Sequence, residues 1–189
     1  ILHRDQDIGQ LHAVGYPTTS MPEEWAEKLA QSGIRTLNHL LPILQRRVHW
    51  PEVGEEVLLT GIRGQLAQAI AGRVQRTPIT SPVPAGAVVL GDVLAQRIQA
   101  TTGSTVVLMG EEFRVERINP HRGTADDMAL WVELPKVQEW LKMPGLINGI
   151  LALECVCETG SLGNIQSGIK AVLPDVQVFE FSSMARGRA

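Results

Sequence analysis

Two consecutive stretches near the end of the chain decide the fold. The first is Leu146-Ile147-Asn148-Gly149-Ile150-Leu151-Ala152-Leu153-Glu154-Cys155-Val156-Cys157. The second is Ser161-Leu162-Gly163-Asn164-Ile165-Gln166-Ser167-Gly168-Ile169-Lys170-Ala171-Val172-Leu173-Pro174, which leads into Val176-Gln177-Val178-Phe179-Glu180-Phe181. They read as strand, helix, strand. Leu151, Leu153, Cys155 and Cys157 fall on one face of the first strand and Ile150, Ala152 and Val156 on the other. Two apolar faces mark a strand covered on both sides. Ser161 is placed to cap the helix, whose Leu162, Ile165, Ile169, Val172 and Leu173 form an apolar stripe. Pro174 stops it, and Val176 to Phe181 alternates as a last strand. Such a unit alone leaves one sheet face and both edges unburied, so it needs a partner.

The start of the chain supplies one. Ile1 to His3 reads as a short strand, and Arg4 to Thr19 as a polar connection. Ser20-Met21-Pro22-Glu23 has the pattern of a capping box. Trp25, Ala26, Leu29 and Ala30 recur at helical spacing up to the stop at Gly33. Ile34 to Trp50 carries two extended stretches interrupted by Pro42, and Glu56 to Ile62 is another strand. This β-α-β-β opening has the same deficit as the closing β-α-β. Joined, they make a split βαβ layer of the ferredoxin-like kind.

Between them the character changes. Thr77-Pro78-Ile79-Thr80-Ser81-Pro82-Val83-Pro84 is a stiff linker, and Met143-Pro144-Gly145 closes the segment it opens. Inside lie a strand at Val88 to Leu90, a short helix at Asp92 to Gln99 and a turn at Thr102-Gly103-Ser104. A hairpin follows, with strands Thr105 to Met109 and Glu112 to Ile118 around Gly110-Glu111. Ala129 to Leu134 is a further strand, and Pro135 opens a helix with Val137, Trp140 and Leu141 inward. The expected fold class is therefore α+β, a discontinuous ferredoxin-like lobe holding a small inserted α/β-rich lobe. Its boundaries are 1–76 plus 146–189 for the outer lobe, 85–145 for the insert and 77–84 for the linker.

Composition excludes several functions. The 189 residues are 44% apolar and 20% charged, near the globular average. Folding removes roughly 70% of the surface of a chain this size from water, enough for a real core. A formal net charge of −3 without a basic stripe speaks against nucleic acid. No window approaches a bilayer-spanning run. The opening Ile-Leu-His-Arg and the closing Ala-Arg-Gly-Arg-Ala read as cuts in a longer protein, and a monomer is expected of the piece. Cys155 and Cys157, alternate residues of one strand about 7 Å apart, are too far apart to favour a disulfide.

The sequence holds little chemistry. No nucleophile elbow, phosphate loop, C-x-x-C or H-E-x-x-H occurs, and His3, His12, His39, His49 and His121 are dispersed. One constellation stands out: His121-Arg122-Gly123-Thr124-Ala125-Asp126-Asp127. As chemistry, an imidazole beside two carboxylates could hold a divalent cation or move protons. As structure, the same letters make a turn, with Gly for the bend and Thr and Asp bonding nearby backbone. The turn is the preferred reading, because adjacent aspartates project in different directions. Cys155 and Cys157 read as small core hydrophobes rather than ligands. Arg46 and Arg47 read as a solvated pair, with contact to an acidic partner the other option. Trp25, Trp131 and Trp140 read as core, and Trp50 as either core or a contact residue in a loop.

Three stretches of the middle segment carry a family resemblance: Val88-Val89-Leu90-Gly91-Asp92-Val93-Leu94-Ala95, Thr102-Gly103-Ser104-Thr105-Val106-Val107-Leu108 and Glu112-Phe113-Arg114-Val115. So do Gly123-Thr124-Ala125-Asp126-Asp127, Trp131-Val132-Glu133-Leu134 and Pro144-Gly145-Leu146-Ile147-Asn148. In order and spacing they resemble the extracytoplasmic core domain of MacB/FtsX/LolC-type ABC transporter permeases, over about 85–155. The long Arg4 to Thr19 connection, the Pro-rich entrance at 77–84 and the basic tail at Arg186 and Arg188 depart from that pattern.

The resemblance implies a porter-like outer lobe set between two membrane helices and exposed on the periplasmic or extracytoplasmic side of the cell membrane. It implies no catalytic residues, metal ligands or cofactors. The expected function is non-catalytic: mechanical coupling of cytoplasmic ATP hydrolysis to export or to lipoprotein or lipid handling. The implied partners are the protein's own transmembrane helices, a cytoplasmic ABC ATPase, a second permease copy and an extracytoplasmic adaptor or cargo. The alternatives are a stand-alone adaptor or ligand-binding module and, behind it, a metal-dependent hydrolase using His121, Asp126 and Asp127.

Overall fold

The computed structural model describes residues 1–34, 37, 39–64, 66–67, 82–153 and 162–179. Its backbone is a hairpin of β3 (His39–Trp50) and β4 (Glu55–Ile62), paired antiparallel from Trp50↔Glu55 to Ile43↔Ile62. Alternation along β3 sends Leu40, Leu44 and Trp50 to one face, and Leu41 and Ile43 to the other. The first face joins a core with Ala26 and Leu29 of α2 (Glu24–Ala30), Leu134 and Val137 of α4 (Leu134–Trp140), and Ile165 and Ile169 of α5 (Leu162–Val172). The second packs with Ile62, Val83, Ala87 and Val89. Each fully buried large aliphatic side chain contributes about 1.5–3 kcal/mol relative to exposure.

On one side of the hairpin, β11 (Gly149–Leu153) pairs antiparallel with β3. On the other, β9 (Ala129–Glu133) runs parallel to β4 over five rungs, Leu58↔Ala129 to Ile62↔Glu133. Beyond β9 come β6 (Ala87–Leu90), β8 (Glu111–Ile118) and β7 (Thr105–Leu108). One sheet thus runs β11-β3-β4-β9-β6-β8-β7, with β5 (Leu66–Ala67) on the start of β3. The helix after β6 is α3 (Asp92–Arg97). At the outer side of β11, Ile1 and Ile150 exchange backbone hydrogen bonds of 2.9 and 3.0 Å. β1 (Leu2–His3) then pairs antiparallel with β12 (Val176–Gln177).

Several local expectations change. The connection from Arg4 to Thr19 contains α1 (Ile8–Val14), capped by the Asp7 carboxylate on Gln10 N–H and ended by Gly15 at φ 84°. Only Leu11 of it is buried, so its apolar signal is one residue deep. The capping box at Ser20 does not form. Met21 and Pro22 are drawn into a two-residue strand, β2, against β10 (Leu146–Ile147), and α2 starts at Glu24, its N-cap Glu23 making no side-chain cap.

Pro42 does not divide β3. Ile43 O and both backbone groups of Gln45 face Asn148, so Pro42 faces the β4 side, beyond the last rung at Ile43↔Ile62, and costs no ladder bond. The expected strand from Leu146 instead breaks at Asn148. That side chain donates to Pro17 O (2.6 Å) and Gln45 O (2.7 Å) and accepts from Gln45 N (2.8 Å), standing in for backbone. The β7–β8 turn is Met109-Gly110, both at positive φ, one residue earlier than expected. Val172 is exposed rather than part of the buried stripe of α5. The expectations for Cys155, Cys157, the Ser161 cap, Phe181 and most of the Pro-rich linker lie outside the described residues.

Candidate functional site

The segment from His121 to Asp127 is built as a turn around one carboxylate. Asp127 accepts from the backbone N–H groups of Arg122 (2.8 Å), Gly123 (2.7 Å) and Thr124 (3.2 Å). The Thr124 hydroxyl in turn accepts from Asp126 N–H, opening a 3₁₀ turn over Ala125–Met128. His121 Nδ1 lies 3.1 Å from Asp127 and 3.8 Å from Asp92 at the start of α3. Burial works against the Asp127 charge, yet the three amides and the neighbouring imidazole hold its carboxyl below the usual range. Asp126 moves the other way: burial pushes it up, the Asp127 charge adds to that, and Arg122 opposes it.

The residues singled out from the sequence are thus only partly brought together. His121 meets Asp127; among the described residues the Asp126 carboxyl has no hydrogen-bond partner. Both Asp127 oxygens accept backbone amides, so the carboxylate holds the turn together. Among the described residues no three His, Cys, Asp or Glu side chains gather in a way that could hold a metal ion. The turn is seated on Gly91. A Cβ there would press on the Asp126 and Asp127 carbonyls, 2.5 Å from the Asp127 oxygen, so the strand-to-helix corner admits only glycine.

A second cluster escaped sequence reasoning. Arg63, just past β4, donates to Glu23 (2.6 Å) and Glu27 (2.7 Å) on α2. Glu23 also accepts from Gln138 of α4 (2.9 Å), and the same Gln138 amide donates to Leu146 O of β10 (3.0 Å). The contact with Glu27, set against some burial, keeps the Arg63 guanidinium firmly charged. The sequence signal was available only as two glutamates one turn apart on α2; nothing along the chain pointed to Arg63 or Gln138.

The tryptophans divide. Trp50 is fully buried and donates to Val107 O of the edge strand β7 (2.8 Å), which settles it as core. Glu52 accepts from Gly110 N–H beside it (2.6 Å), so two groups of the β3–β4 hairpin cover the outer edge of β7. Trp25, Trp131 and Trp140 are only half-buried; Trp25 stacks on His3, and Trp140 packs edge-on to Phe113. Arg46 leans on Met143 Sδ (3.6 Å), and Arg47 reaches Val14 O at 3.5 Å.

Element order, sheet and helices define a class: the α+β fold of extracytoplasmic domains from ABC-type transporters, the fold class expected from the sequence. Two solved structures show the likeness. The periplasmic region of MacB from Actinobacillus actinomycetemcomitans matches with a TM-score of 0.60 at 13% identity, covering 99% of this chain and 90% of that one. The extracellular domain of the noncanonic ABC-type transporter YknZ from Gram-positive bacteria matches with a TM-score of 0.58 at 14% identity, covering 92% and 91%. At such identities the likeness is one of fold. No protein-family model matches the sequence, and no curated protein does.

Proposed function

We propose that this chain is a non-catalytic extracytoplasmic domain of an ABC transporter permease, passing the motion of membrane helices to material outside the membrane. The observation that carries this reading is the fold shared with the MacB and YknZ domains over nearly the whole chain. The pairing of β1 with β12 supports it, because a domain set between two adjacent membrane helices must start and finish side by side. Among the described residues no helix is long and apolar enough to cross a membrane, so the anchoring spans would lie outside them. On this proposal the partners are membrane helices of the same protein, a cytoplasmic ATPase and a second permease copy. The cargo is material handled outside the membrane, such as an exported molecule, a lipoprotein or a lipid.

The test is the coding sequence on either side. One apolar span of about 20 residues before the chain and three after it are expected. A reading frame closing within a few residues at both ends would favour the stand-alone binding module instead.

A further inference from the structure

We infer that the described residues of 82–145 and those of the frame, 1–64 with 146–153 and 162–179, move as one rigid body, sealed along β4–β9 and tied across by Gln138 and Arg97. This deepens the transporter reading and rests on it for its purpose, because a hinge between two lobes and a single lever would pass on motion differently.

Three observations meet at the seam. The five-rung β4–β9 ladder joins a strand of the frame to a strand of the insert within one sheet. Helix α4 of the insert is pressed onto β4 so closely that a Cβ on Gly61 would sit 2.9 Å from Val137 Cβ and 3.1 Å from Leu134 Cδ1. That contact leaves no room for the two parts to slide. Across the same boundary Gln138 of α4 donates to Glu23 and to Leu146 O of the return strand, and Arg97 of α3 pairs with Glu55 of β4 at 2.8 Å. A hinge needs a boundary crossed by few contacts, and this boundary is crossed by backbone, core and charge together.

Native-state hydrogen exchange on the isolated chain tests this without a membrane. The β4 and β9 amides should exchange only through global unfolding, with one cooperative urea transition. Collective earlier exchange of 82–145, or two transitions, would overturn the single body. In Gln138→Met, amides of Met21, Glu24–Ala30 and Leu146–Ile147 should exchange about tenfold faster while β4–β9 keeps its rate. Unchanged rates at those positions would remove Gln138 from the seam. Because these readouts concern only the chain, the seam can fail while the transporter reading stands, and the reverse.

Discussion

The turn at 121–127 and the junction at Arg63 are both small networks of charge and amide, yet they are assembled differently. In the turn Asp127 takes three backbone N–H groups and faces the His121 ring, all from within six residues. At the junction Arg63, Glu23 and Gln138 come from distant parts of the chain and meet through side chains. The turn can form as soon as its own residues bend. The junction exists only once the sheet has placed α2, α4 and β10 together. Local networks specify shape, whereas long-range ones report that the whole fold is in place.

The largest effect should come from the seat of the turn. Gly91→Ala drives a methyl into two backbone carbonyls that have no free rotamer to yield, so a loss of about 4 kcal/mol in urea unfolding is expected. A change below about 1 kcal/mol would mean that the corner is looser than its geometry. Gly61→Ala tests the seam in the same way. There the obstacles are the side chains of Val137 and Leu134, which can shift slightly, and a loss of about 2 kcal/mol is expected. If Gly61→Ala cost more than Gly91→Ala, the seam would be the tighter of the two regions.

The smallest effect is a dependence on pH. Asp127 titrates lower in the folded chain than in the unfolded one, so its stabilisation is present above the unfolded value of about 3.9 and fades as pH falls below it. Asp126, shifted upward, works the other way and regains stability as it is protonated. The advantage of the native chain over Asp127→Asn should therefore be seen at pH 7 by thermal melting and shrink below about pH 4. A constant gap across that range would show that the carboxylate charge contributes nothing to the turn.

The same contrast explains what the sequence could show. The turn chemistry, the α3 and α4 helices, the hairpin at Thr105 to Ile118 and the apolar positions of α5 at Ile165, Ile169 and Leu173 rest on neighbours along the chain, and they were legible. The α+β class followed because strands and helices alternate with distinct apolar spacing. Pro42 misled because its cost depends on which side of β3 is paired, a fact of tertiary structure. Ser20 misled because β10 competes for Met21 and Pro22. Trp50 was undecided until β7 supplied the carbonyl for its indole N–H. Arg63 carried no local mark at all, since its partners are set by folding.

The most direct test of the extracytoplasmic assignment is labelling from outside the cell. A single cysteine at the exposed Glu112, in a chain with Cys155→Ser and Cys157→Ser, is expressed in its full-length protein and treated with a membrane-impermeant maleimide. The account predicts full labelling on intact spheroplasts. Labelling that appears only after the membrane is broken would contradict it.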